Sequence, residues 1–286
     1  MVGKMKDKII AAVLDRLGEG YVAQTKTIKK NNGLSYEGVI FGNDFSKASP
    51  VICIDNAIEN MENNNLSFEE IVDSIVDTCK NRISFDKKIL LESCKRAVIR
   101  VVNGEMNKNI ELCMDYLDLK IEYRGVYYTE EEKYSFRIDK GMLELIGMTE
   151  EELHEIAQKN TMKYDYWIEN IAENIAESIK EELGIDIDID EMEPKLYAVR
   201  QKMNYGAVCI YTLKGIKELS DKLESDLYVF PSSVNEVICT KVDKSIESYK
   251  EMVKEINKNE NAVRPEEVLS NSVYIYDRAA GELRIA

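Results

Sequence analysis

The stretch Leu227-Tyr-Val-Phe-Pro-Ser-Ser-Val-Asn-Glu-Val-Ile-Cys-Thr-Lys241 constrains the fold more than any other part of the chain. Two runs rich in β-branched and aromatic residues flank Pro231-Ser232-Ser233. Proline has no N–H for a strand ladder and fixes its own φ, while serine hydroxyls bond to nearby backbone, so the trio reads as a bend between two paired strands. Val229, Val237 and Cys239 are then candidate core residues. Ser232, Ser233, Asn235 and Glu236 are polar groups gathered at the bend, and they are the candidate binding residues. No G-x-S-x-G elbow surrounds the serines, so they serve a turn as readily as a nucleophilic role, and no residue is assigned as catalytic.

The rest of the chain supplies alternating helices and β-type runs. Met5, Ile9, Ala12, Val13 and Leu17 make one helical stripe, closed by Gly18 and Gly20. Runs 21–30 and 34–41 flank Asn31-Asn32-Gly33, a turn signal for positive φ, and predict a β-hairpin. Pro50–Ile54 reads as a third strand and Asn60–Asn65 as a polar loop. Ser67-Phe-Glu-Glu70 is a capping box, and Phe68, Ile71, Val72, Ile75, Val76 and Cys79 form one apolar helix face expected to cover a sheet. Residues 86–102 read as a short helix and then a strand, 105–114 as another short helix, and Tyr116–Tyr128 as one strand paired with Tyr134–Ile138. A helix stopping at Gly147 is followed by a second capping box, Thr149-Glu-Glu-Glu152. Ile168 to Leu183 reads as a long amphipathic helix closed by Gly184. Further strands are expected at 185–190, 196–200 and 207–211, helices at 215–223 and 246–256, and a final hairpin from Val273–Tyr276 and Leu283–Ile285.

Composition narrows the function classes. Thirty-eight basic against fifty-three acidic residues give a net charge of −15, which repels a phosphate backbone at long range and disfavours direct nucleic-acid binding. No apolar run approaches the ~20 residues of a membrane span, and residues 1–8 lead into an amphipathic helix and not a signal-peptide core, so a cytoplasmic protein with no membrane association is expected. Cys53, Cys79, Cys94, Cys113, Cys209 and Cys239 are scattered without a C-x-x-C pair, and are read as buried free thiols.

Few residues offer site chemistry. His154 is the only histidine and lies off the apolar stripe of its helix, which favours a solvated surface role over a catalytic base. Asp186, Asp188 and Asp190 alternate with Ile185, Ile187 and Ile189. The positions where a calcium loop needs Gly and Glu hold Glu191 and Tyr197, so the aspartates are read as the solvent side of a strand and no metal is assigned. Glu130–Glu132 and Glu150–Glu152 are ordinary solvated charges. Phosphate-cradling glycine loops are absent in their common forms, and no cofactor is assigned.

Lys30-Asn-Asn-Gly33, Ser49-Pro-Val-Ile52, Leu117-Asp-Leu-Lys-Ile-Glu-Tyr-Arg124, Pro231-Ser-Ser-Val-Asn-Glu-Val-Ile238, Met252-Val-Lys-Glu-Ile-Asn257, Pro265-Glu-Glu-Val-Leu-Ser270 and Val273-Tyr274 occur in that order. Together they resemble a family of uncharacterised bacterial proteins, a domain-of-unknown-function family common in anaerobic Gram-positive gut bacteria. The resemblance runs from about residue 5 to residue 285 and implies a fold and a lineage, with no activity attached.

The sequence therefore points to an α+β protein of two mixed or mainly antiparallel sheet halves covered by amphipathic helices. The expected halves are 1–148 and 149–286, the second opening with a helical connector at 149–183. The leading functional expectation is a non-enzymatic protein that binds another protein or a small ligand. The alternatives are a carboxylate enzyme, using Glu236 with an Asp or Glu from the other half and optionally Mg²⁺, and an acidic mimic that blocks a DNA-binding partner.

Overall fold

A computed structural model of the chain describes residues 2–43, 50–80, 86–128, 133–186, 188–189, 194–231, 233–242 and 246–286. Its internal contacts divide it into two units, Met1–Lys87 and Lys88–Ala286. The division expected at 148/149 falls inside the second unit. There, residues from both sides of that point share one hydrophobic core.

In the first unit, α1 (Val2–Leu17) is followed by the hairpin β1 (Val22–Lys29) and β2 (Ser35–Gly42), then by α2 (Ile54–Asn63) and α3 (Phe68–Lys80). The hairpin is antiparallel from Val22 opposite Gly42 to Lys29 opposite Ser35. Its turn carries Asn32 at φ 59° and Gly33 at φ 72°, residue types that tolerate the left-handed region. The third strand expected at 50–54 is reduced to a bridge between Val39 and Ile52, because α2 begins at Ile54. Ile54, Ala57, Ile58 and Met61 follow at helical spacing and join the core, which overrides the loop reading of 60–65. At the start of α3, Ser67 N donates to Glu70 Oε2 at 2.8 Å and Glu70 N to Ser67 Oγ at 3.3 Å, the reciprocal bonds of a capping box. Its buried face, Ile71, Val72, Ile75, Val76 and Cys79, packs with Ile9, Val13, Val39 and Phe41. Each aliphatic side chain so buried contributes roughly 1.5–3 kcal/mol of transfer free energy.

The second unit begins within α4 (Lys87–Lys95) and continues with β3 (Val98–Asn103), then β4 (Cys113–Tyr116), β5 (Leu119–Tyr128) and β6 (Lys133–Arg137). β3 lies along one edge of β5, and β4 and β6 follow one another along the other, all antiparallel. The single strand expected at 116–128 is broken by a two-residue turn at Leu117-Asp118, with Leu117 at φ 56°. Residues 105–114 are not helical: Asn103 Oδ1 accepts from Met106 N and Asn107 Nδ2 donates to Asn103 O, holding a turn ahead of β4. Asparagine side chains compete with helix in this way.

After α5 (Lys140–Ile146) and α6 (Glu150–Thr161) come β7 (Tyr166–Asn170), α7 (Ile171–Leu183), β8 (Tyr197–Gln201), α8 (Cys209–Thr212), α9 (Lys214–Leu223), β9 (Leu227–Phe230), β10 (Val237–Lys241), α10 (Ile246–Lys258), β11 (Tyr274–Asp277) and β12 (Glu282–Ile285). The 149–183 stretch is thus two helices around a strand, with Ile168 in the strand. Thr149 and Glu152 form the second capping box. The six strands order as β12-β11-β9-β10-β8-β7, every neighbouring pair antiparallel. The strand expected at 207–211 is a buried helical turn leading into α8. Ile185 is exposed and not in a strand, while Ile187 and Asp190 lie outside the described residues.

Alternation decides which core each strand residue joins. Leu227, Val229, Val237, Cys239, Tyr274 and Tyr276 face a large core shared with Ile99, Val101, Ile121 and Tyr123 of the four-stranded sheet and with Leu153 and Ala157 of α6. Tyr228, Phe230 and Val273 face a smaller one closed by Tyr249 and Val253 of α10. Val229, Val237 and Cys239 are fully buried.

Candidate functional site

The inner face of β3 and β5 is apolar, but the other face of the same strands carries charge. Strand pairing sets Arg100 opposite Glu122, Val98 opposite Arg124, and Arg124 opposite Arg137. The Glu122 side chain is fully buried, and those of Arg100 and Arg124 are only 9% and 17% exposed. Arg137 Nε donates to Glu122 Oε2 at 2.6 Å, Arg100 Nη1 to Glu122 Oε1 at 3.4 Å, and Arg124 Nη1 lies 3.9 Å from that same oxygen. Three guanidinium groups thus surround one carboxylate, and the local excess is two positive charges. Burial pushes the Arg124 guanidinium below its ordinary value, opposed by the Glu122 charge and reinforced by Arg100. A buried ion pair is favourable only when its remaining donors are also satisfied. Here Nε of both Arg100 and Arg124 is buried without a partner.

The surrounding segments are placed by their own bonds. Tyr205, held left-handed at φ 64°, stacks over the Arg100 guanidinium at 3.7 Å. Gln201 Nε2 donates to the carbonyls of Thr161 and Tyr164, tying the turn after α6 to β8. Thr161 Oγ1 accepts from Ile99 N at 2.8 Å, fixing the end of α6 to β3. Between these segments is a pocket of about 30 Å³ whose walls include Arg100, Arg124, Lys133, Ser135, Tyr164 and Tyr205. That is room for one or two water-sized groups. A wider hollow of about 270 Å³ adjoins it, sharing Val98 and Tyr164 and adding Arg96, Tyr128, Asn160 and Lys163.

The described bend residues singled out from sequence do not line this pocket. Ser233 bridges to Val268, its Oγ accepting from Asn235 N at 2.9 Å. Asn235 is exposed and its Nδ2 donates to Glu267 Oε1 at 3.2 Å, Glu236 is half-buried, and Ser232 lies outside the described residues. Val234 O accepts from Ala207 N, so the bend backs the loop that carries Tyr205. Gly206 is where they meet: a Cβ there would stand 2.7 Å from the carbonyl oxygens of both Asn235 and Gln201. Backbone cannot yield as a side-chain tip can, so Gly206→Ala is expected to cost roughly 1–3 kcal/mol, the usual range for overpacking. Chemical denaturation measures this, and unchanged stability would show that the loop is not wedged.

Other expected groups are placed elsewhere. His154 is half-buried, its Nδ1 3.0 Å from the Tyr123 hydroxyl, so it is a partnered residue and not a solvated one. Burial pushes the Tyr123 phenol up to about 12. All six cysteines are free; Cys79, Cys94, Cys209 and Cys239 are buried as expected, whereas Cys53 and Cys113 are only half-buried. Asp118, at the β4–β5 turn, accepts from Ser270 Oγ at 2.6 Å, Ser272 Oγ at 2.9 Å and the Tyr274 hydroxyl, and thereby fastens that turn to β11. Among the described residues, no group of three or more His, Cys, Asp or Glu is placed to hold a metal ion, and no helix is long and apolar enough to cross a membrane.

Sequence reasoning missed the arginine cluster. The available signal was a charged residue inside a run apolar on both faces, Val98-Ile-Arg-Val-Val102, beside a run in which Lys120, Glu122 and Arg124 alternate with Leu119, Ile121 and Tyr123. All six residues of β3 are buried, so a charge at Arg100 calls for a partner inside the protein.

Comparison with curated proteins and comparison with solved structures each found no match. Residues 3–278 match the model of a family of unknown function, DUF5688, which spans nearly the whole sequence, and the chain belongs to that family.

Proposed function

We propose that the second unit is a binding module for a small organic oxyanion, a carboxylate or a phosphate, whose head group docks against Arg100 and Arg124. One observation carries this reading: a fully buried carboxylate faces three guanidinium groups, and two of their buried Nε atoms have no acceptor. Arginine stays protonated and presents fork-shaped donors that match carboxylate and phosphate oxygens, so an entering anion offers acceptors to the guanidinium groups of the pocket wall and offsets the charge excess. Tyr205 closes the pocket by stacking on Arg100, which holds the guanidinium plane in place for the ligand. In this reading the ligand sits at Arg100 and Arg124 and not at the side chains of Ser233, Asn235 or Glu236, which do not line the pocket.

Isothermal titration with inorganic phosphate and with acetate tests it. Hydrogen bonds to charged groups contribute roughly 1.5–3 kcal/mol, so Arg124→Met is expected to weaken binding about 10- to 100-fold, with folding checked by thermal melting. Arg284→Met, on exposed β12, should leave affinity unchanged. Failure of both anions to bind the wild-type chain, or equal binding by the two variants, overturns the reading.

A further inference from the structure

We infer that the ligand of this site carries a second anionic group, seated in the hollow beside the arginine pocket; the inference rests on the anion reading above. The walls of the two cavities hold Arg96, Arg100, Arg124, Lys133 and Lys163 and, among the described residues, no carboxylate. In a chain with fifty-three acidic and thirty-eight basic residues, that is the reverse of what a randomly composed surface would supply.

The three cations outside the buried cluster have neutral groups as their contact partners, although the Glu92 carboxylate feels the Arg96 charge. Lys133 Nζ lies 5.8 Å from the Tyr128 ring centre and 5.9 Å from that of Tyr164, and Arg96 sits over the Tyr128 ring at 5.9 Å. Lys163 Nζ donates to Asn160 Oδ1 at 3.1 Å, while Asn160 Nδ2 is itself pinned to the carbonyls of Lys95 and Ala97. Their partners are rings and an amide, and none of the three makes an ion pair with a described residue. Lys95, next in sequence to Arg96, pairs with Glu92 at 2.8 Å in the ordinary way. Neutral partners orient a cation while leaving its charge available to a ligand.

Size agrees with this assignment. The arginine pocket of about 30 Å³ admits only part of an anionic head group, whereas the hollow of about 270 Å³ has room for an organic body. Arg96 precedes Arg100 by four residues, so at roughly 3.3 Å per extended residue the two backbone positions are at most about 13 Å apart. The ligand class is a small molecule with two acidic groups separated by several bonds, such as a bisphosphate, a dicarboxylate or a phosphocarboxylate.

Calorimetric titration of a hexose 6-phosphate and a hexose 1,6-bisphosphate into the wild-type chain and into an Arg96→Ala/Lys163→Ala double variant tests the assignment. The wild-type chain is expected to bind the bisphosphate at least 10-fold more tightly than the monophosphate. The double variant should bind both alike. Equal affinities in the wild-type chain, with the monophosphate bound, overturn this inference and leave the anion reading standing. A bisphosphate preference that persists in the double variant overturns the assignment to the hollow, and binding of neither compound overturns the anion reading together with this inference.

Discussion

Glu122→Gln is expected to destabilise the second unit by about 3–5 kcal/mol, the range for removing one member of a buried ion pair. The substitution keeps shape and volume, so the loss isolates charge: Arg100, Arg124 and Arg137 would face one another around a neutral amide that accepts fewer bonds and adds unwanted donors. Urea denaturation followed by the fluorescence of the single tryptophan, Trp167 in β7, reports this unit alone. Phosphate should restore part of the loss, because an anion in the adjacent pocket supplies the missing negative charge. A ligand at 100 times its dissociation constant stabilises by roughly 2.7 kcal/mol. A change under 1 kcal/mol would mean that the guanidinium groups are held by packing and water, and that Glu122 does not organise them.

The second large effect is expected at Asp118. Asp118→Ala removes the acceptor of three hydroxyl groups, those of Ser270, Ser272 and Tyr274, and the Tyr274 residue is fully buried. Hydrogen bonds to a carboxylate contribute roughly 1.5–3 kcal/mol each, and an orphaned buried hydroxyl costs about 1–3 kcal/mol. Because the three bonds share one acceptor, they do not add; a loss of about 3 kcal/mol is expected. Asp118→Asn, which keeps one carbonyl acceptor, should lose less. Equal losses for the two variants in the same denaturation measurement would count against the hydroxyl cage and leave steric support of the turn as the role of Asp118.

The elements legible in the sequence were those whose signal is local. Both capping boxes formed with their reciprocal bonds, since an N-cap and its N3 partner are three residues apart and depend on nothing else. The 31–33 turn, the α3 stripe, the β9–β10 pair and the final hairpin were readable for the same reason. Local reading failed where two elements share one run of residues. Ile168 and the α7 stripe look continuous as a helix, yet Tyr166–Asn170 pairs with β8, and a strand partner some thirty residues away leaves no local trace. The turn at Leu117 was hidden because leucine is an uncommon residue at positive φ.

The candidate site divides along the same line. The bend at 231–236 was visible from its proline and serines, and it supports the Tyr205 loop through Val234 and Asn235. The pocket itself was not visible, because its residues come from β3, β5, β6, the turn after α6 and the loop after β8. By itself the sequence determined the α+β class, the paired strands 227–241 with Val229, Val237 and Cys239 in the core, and membership of one family. Only the tertiary structure decided that Arg100, Arg124 and Arg137 converge on Glu122, since that depends on strand register. A shift of one residue in the β3–β5 pairing would send the charges to the opposite face; the alternation of Leu119, Ile121 and Tyr123 marks the inward face of β5, but which residue of β3 stands opposite Glu122 depends on a partner 22 residues away in the chain.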